Sequence, residues 1–161
     1  MHTRVVKAKH GPELLVRPLR DGDTATVQAV FERLGNASRL ARFNGLKREL
    51  GEKELRWLAT VGPNHHVLVA HVDGDPEPVA LARLVRSGGS AEIAFEVADA
   101  YQGRGIGSAL AQEVVADACA AGIVELQPGD DLGVTEDQLH ALTLLLGHAA
   151  TSLVDWTEVR R

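Results

Sequence analysis

Three glycines within five residues, Gly103, Gly105 and Gly107, stand where one periodicity gives way to another. Before them, Ala91-Glu92-Ile93-Ala94-Phe95-Glu96-Val97 alternates as a strand does, with Glu92, Ala94 and Glu96 on one face and Ile93, Phe95 and Val97 on the other. After them, Ile106, Leu110, Val114 and Ala118 recur at helical spacing to about Ala121, and Gly122 is a natural stop. A strand, a glycine turn and a helix start in succession make an anion site. The first helical N–H groups have no intrahelical partner, and the aligned peptide dipoles place partial positive charge on them. Residues without Cβ let the backbone take positive φ and let a phosphate come close. Arg104 adds a cationic donor beside them.

Three glycine-rich phosphate loops compete for this run. The dinucleotide fingerprint Gly-x-Gly-x-x-Gly fails at Ser108, where the third glycine belongs, and the triphosphate loop fails for want of a lysine. Gln102-x-x-Gly105-x-Gly107 fits the third. It resembles the acetyl-CoA signature of the GNAT superfamily of N-acetyltransferases, Gln/Arg-x-x-Gly-x-Gly/Ala. The resemblance implies that Gln102, Gly103, Arg104, Gly105, Ile106, Gly107 and Ser108 hold the CoA pyrophosphate. It also implies that the main chain of Phe95, Glu96 and Val97 meets the pantetheine arm, with acetyl-CoA as co-substrate.

The remaining chain agrees with one mixed α+β domain over residues 1–161, and that length allows an ample core. Glu13 to Pro18 reads as a first strand. Helices follow from about Thr24 to Leu34, after Asn36 or Ser38 with Leu40 and Phe43, and from Glu52 to Val61. His66 to Val72 and Pro78 to Val85 flank the turn signal Asp73-Gly74-Asp75, and Gly88-Gly89 leads into Ala91 to Val97. Periodicity supports no more than an α+β class. The element order is similar to that of the GNAT acyl-CoA N-acyltransferase fold, a mixed, mostly antiparallel sheet flanked by helices.

Composition narrows the function classes. No apolar run reaches membrane-spanning length and no apolar leader opens the chain, so the expected location is cytoplasmic with no membrane partner. A net charge of −5 argues against a general nucleic-acid binder. The seven histidines show no zinc spacing, so no metal is expected, and no Gly-x-Ser-x-Gly elbow supports a serine hydrolase. The single cysteine, Cys119, reads as a small buried residue.

A closer resemblance covers roughly residues 13–123. Val16-Arg17-Pro18-Leu19-Arg20-Asp21-Gly22-Asp23, Arg42-Phe43-Asn44-Gly45, His66-Val67-Leu68-Val69-Ala70 and Ala91-Glu92-Ile93-Ala94-Phe95 recur in order before the glycine loop. Together they are similar to the Pat-type protein lysine acetyltransferases. The expectation is an N-acetyltransferase moving an acetyl group to a primary amine by direct transfer, without the extra regulatory domain such proteins often carry. An ordinary lysine amine, of pKa about 10.4, is protonated at neutral pH, so transfer needs a base. Glu92 and Glu96 lie roughly 13 Å apart on a regular strand and cannot serve one reacting centre. Glu92 is the expected catalytic base, being farther from the loop and matching the Pat-type Ala-Glu-x-Ala position. Glu96 is read as structural or acceptor-binding, and a bulge in the strand would change these faces.

The pattern breaks after Gly122. Pro128 and Gly129 interrupt the expected strand, Gln138 stands where the family has a cofactor-contacting Asn, and the tyrosine that serves many relatives as general acid is absent, since Tyr101 is the only one. Tyr101 itself reads as packing beneath the loop. A shortened C-terminal sheet invites completion by a second copy, a homodimer. The acceptor stays open between a protein lysine and a small-molecule amine. A catalytically weak acyl-CoA-binding or regulatory domain that keeps the glycine loop is the alternative from another class.

Overall fold

The computed structural model describes residues 3–8, 11–35, 49–123 and 125–128. In chain order these form β1 (Arg4–Lys7), β2 (Glu13–Pro18), α1 (Thr24–Glu32), α2 (Glu52–Leu58), β3 (His65–Val72), β4 (Ala80–Ser87), β5 (Ser90–Val97), a 3-10 turn (Asp99–Tyr101), α3 (Ile106–Ala120) and β6 (Glu125–Pro128). The six strands make one sheet in sequence order. Every neighbouring pair is antiparallel except β5 and β6, which run parallel. That parallel pair requires a crossover, and α3 supplies it.

Both faces of the sheet are covered. Leu68, Ala82, Leu84, Ile93 and Phe95 pack against Ile106, Leu110, Val114 and Ala118 of α3. On the opposite face, Val67, Val69 and Leu81 meet Val27 and Val30 of α1 and Leu58 of α2. A central strand between two layers has no solvent-facing side, which is why Ala80-Leu81-Ala82-Arg83-Leu84 is buried throughout, the charged Arg83 included. Each large apolar side chain so buried contributes about 1.5–3 kcal/mol relative to exposure.

The helices begin and end on local chemistry. Asp23 caps α1, its Oδ1 accepting from the Thr26 backbone N–H at 3.1 Å and its Oδ2 from the Thr26 hydroxyl at 2.6 Å. Gly122 takes φ 79° just after α3. Its N–H then reaches the Cys119 carbonyl and that of Ile123 the Ala118 carbonyl, the paired bonds of a Schellman stop. The N-terminal charge cluster ties the far edge of the sheet to α3. Arg4 donates to Glu113 and, at 2.9 Å, to Asp117 Oδ2, while His66 Nε2 lies 2.8 Å from the same oxygen.

The structure departs from the sequence expectations at three places. β1 precedes the expected first strand and pairs with it from Arg4↔Val16 to Lys7↔Glu13. The connection between β3 and β4 is longer than the turn signal implies: β4 begins at Ala80, not Pro78, and Asp75 Oδ1 accepts from the Glu77 N–H within the loop. The strand after Gly122 does form, with Pro128 as its last residue opposite Ile93. A proline at a strand's end removes one donor at most, so it ends the pairing without preventing it. The expected helix around Leu40 and Phe43, and everything expected after Pro128, lie outside the described residues. No helix among the described residues is long and apolar enough to cross a membrane.

Candidate active site

The glycine loop joins the end of β5 to the start of α3. Gly103 and Gly105 adopt φ 75° and φ 80°, the left-handed region, with Gly105 as the N-cap of α3. The N-cap glycine offers this helix no side-chain cap, so the N–H groups of its first turn keep their capacity to bind an anion. Gly107 differs from the other two. It is helical, and an added Cβ would meet only Val97 Cγ2 at 3.8 Å. Its missing side chain keeps the first turn open; it does not permit an unusual φ.

Contacts on more than one side hold the loop in place. Gln102 Nε2 donates back to the Val97 carbonyl at 3.3 Å, closing the turn on the strand it leaves. The Tyr101 hydroxyl donates to Asp75 Oδ2 at 2.7 Å, and Arg33 Nη2 donates to the same oxygen at 2.8 Å. Two guanidinium groups lie over the Tyr101 ring, Arg33 at 5.3 Å and Arg104 at 5.2 Å from its centroid. Hydrogen bonds from Arg33 and Tyr101 hold the Asp75 carboxyl well below the usual carboxylate range, and Asp75 in turn raises the Tyr101 hydroxyl. From another side, Gly11 lies so close to the Arg104 carbonyl oxygen that a Cβ there would come within 2.0 Å. Tyr101 therefore supports the loop, as expected. Arg33, Asp75 and Gly11 are additions that no local motif signals.

β5 carries the remaining expected residues. Its register with β4 is unbroken from Ala80↔Val97 to Ser87↔Ser90, so no bulge disturbs its faces. Glu92, Ala94 and Glu96 share one face; Glu92 is exposed and Glu96 is buried. The buried Arg83 stands opposite Ala94, diagonal to both glutamates, and donates to the Leu58 carbonyl. Phe95 is turned into the core on the α3 side and Val97 is half-buried. β6 pairs with β5 only from Ser90 to Ile93. Ala94 to Val97 thus have β4 along one edge and no strand along the other among the described residues. The open edge ends at the glycine loop. The open edge runs into the loop, Glu92 lies five residues before Val97 on the same strand, within the stretch that pairs with β6, and Gln138 lies outside the described residues.

Comparison with known proteins agrees with this arrangement. The family model described as acetyltransferase (GNAT) family matches residues 31–144. A curated acetyltransferase of Pseudomonas aeruginosa is 30% identical over 110 residues, which span 65% of this chain and 59% of that protein, less than two thirds of its length. Among solved structures, the GNAT domain of S. lividans PAT superposes with a TM-score of 0.73 at 25% identity, covering 90% of this chain and 86% of that one. A cAMP-binding acyltransferase from Mycobacterium smegmatis gives a TM-score of 0.54 at 26% identity, covering 91% of this chain and 42% of that protein. The match of the family model to most of the chain, on a sheet and loop of this form, is decisive: the chain belongs to the acetyltransferase (GNAT) family.

Proposed function

We propose that this protein is an acetyl-CoA-dependent N-acetyltransferase that moves an acetyl group directly to a primary amine, with Glu92 as general base. The observation that carries the reading is the uncapped start of α3, preceded by two left-handed glycines, at the end of a strand edge that no described strand covers. That combination fits a ligand with an anionic end and an extended amide-bearing arm. The N–H groups of Ile106, Gly107 and Ser108 and the Arg104 guanidinium receive the pyrophosphate. The main chain of Phe95, Glu96 and Val97 receives the pantetheine amides. Acetyl-CoA supplies an activated acyl carbon, which bonds to the amine nitrogen as its carbon–sulfur bond breaks.

Glu92 takes the proton that the amine must lose, directly or through one water. Its exposure keeps it in contact with solvent, to which it can pass that proton on. Tyr101 is committed to Asp75 beneath the loop, so the departing thiolate takes its proton from water. Holding amine and thioester side by side removes several kcal/mol of barrier before any group acts. Protein lysine is the favoured acceptor on the Pat-type resemblance, and a small alkylamine uses the same chemistry.

Gly105→Glu tests the loop. A side chain at this left-handed position, carrying negative charge into the anion site, abolishes acetyl-CoA binding measured by calorimetry while the fold, followed by circular dichroism, persists. Unchanged affinity in a folded variant would remove the loop from the cofactor site.

A further inference from the structure

The face of the sheet that carries Glu92 carries a second group of side chains at the same level. Strand register places His65 opposite Val85 and Val85 opposite Glu92, so the three form one row across β3, β4 and β5. Side chains in such a row rise from the same face. With strands about 4.8 Å apart, the outer two backbones are roughly 10 Å apart, and the half-buried Val85 side chain rises between them. Trp57 of α2 closes the His65 end of the row. Its ring meets the His65 ring edge-on, centroids 5.2 Å apart at 80°, and Trp57 is 45% exposed although large and apolar.

We propose that Trp57, His65, Val85 and Glu92 form the acceptor site, a cradle for a primary alkylammonium, with its nitrogen between Glu92 and His65 and its methylenes along Trp57. The inference rests on the preceding reading of Glu92 and the glycine loop and extends it to the second substrate.

The charges facing the row are of both signs, and the anion is the exposed one. Glu92 is the exposed carboxylate at one end. His65 is held neutral at the other: burial first, and then the nearby charge of Arg83, push its imidazole below the ordinary value. A neutral ring does not repel an ammonium. Arg83, a buried cation in the next row of the same face, donates to the Leu58 carbonyl at the C-terminal end of α2. On α2, Glu54 and Arg56 precede Trp57 with opposite signs. Two features are poorly explained by packing alone. His65 Nδ1 is covered and has no hydrogen-bond partner among the described residues, a cost that an apolar side chain would not carry. Trp57 exposes an aromatic surface, and aromatic faces attract ammonium groups and alkyl chains together.

The test uses the full chain, with N-α-acetyl-lysine methylamide as a peptide-like probe and 1,5-diaminopentane as a free amine. Thiol release gives KM for each amine, and calorimetry gives acetyl-CoA affinity. Trp57→Ala and His65→Ala raise the amine KM about tenfold and leave acetyl-CoA affinity unchanged, while Trp57→Phe stays near the original protein. The probe with the lower KM tells whether the ammonium is borne on a peptide or free. If His65→Ala does not fold, the exposed Trp57 pair decides. Unchanged amine KM in the Trp57 and His65 variants, with transfer intact, overturns the cradle and leaves the glycine-loop reading standing. Acetyl-CoA binding without thiol release for either amine overturns the cradle and the transfer reading together.

Discussion

Two residues divide the chemistry of the site, and each predicts a separable loss. Glu92 is exposed on a regular strand face, so Glu92→Gln keeps shape and removes the proposed base. The variant should lose about 100-fold or more in kcat at neutral pH with acetyl-CoA affinity retained; undiminished kcat would move the base elsewhere, with Glu96 the next carboxylate on that face. Tyr101→Phe keeps the ring under Arg33 and Arg104 but breaks the bond to Asp75. A net hydrogen bond to a charged group is worth about 1.5–3 kcal/mol. Calorimetry should therefore show acetyl-CoA affinity weakened by about tenfold, with the acceptor KM unmoved. Equal affinity would show that the loop holds itself without Asp75. At this scale the sequence revealed Gly103 and Gly105, because a motif and a left-handed turn are local. It did not reveal Arg33 or Asp75, which meet each other from 42 residues apart and meet Tyr101 only through folding.

Elements were legible where periodicity was long and closed by turn chemistry. α3 was, since Ile106, Leu110, Val114 and Ala118 mark one stripe and Gly122 stops it, and β2 was read with both its boundaries. β1 was not: Arg-Val-Val-Lys offers only four residues, and its Arg4 is spent on α3 rather than on a strand signature. β6 was obscured by Pro128, whose cost depends on which end of the strand it occupies. α3 positions the loop by burying its apolar stripe on one face of the sheet, so its packing contributes to stability. Leu110→Ala, at a fully buried position, should destabilise the protein by about 2–5 kcal/mol in denaturant unfolding. A loss well below that range would mean the stripe is loosely packed.

Across the described residues the sheet is packed between two apolar layers and tied at its periphery by ion pairs, and its stability should fall with acid. Burial first, and then Arg17, depress His71, whose Nε2 accepts from Arg17 Nε at 3.1 Å; His65 is depressed as well. A depressed histidine binds its proton more readily in the unfolded chain, so its contribution is present above the ordinary value of 6.5 and is lost as pH falls toward the folded value. Burial pushes Asp117 up, but bonds from His66 and Arg4 outweigh it and leave its carboxyl below 3.8, as Asp75 is also. These carboxylates add a second loss at lower pH. Thermal unfolding should show Tm flat above about pH 7 and falling below 6.5, with His71→Gln flattening the first part of the fall. A Tm that rises on acidification through this window would contradict the assignment.

The central claim concerns what the loop, the open strand edge and Glu92 do together, and one measurement reaches it most directly. Acetyl-CoA is incubated with the protein and a pool of lysine peptides and alkylamines, and free thiol is followed with time. The account predicts thiol release that requires both protein and amine and disappears in Glu92→Gln. Thiol release that is the same with and without amine, or none with any amine although acetyl-CoA binds, would contradict it.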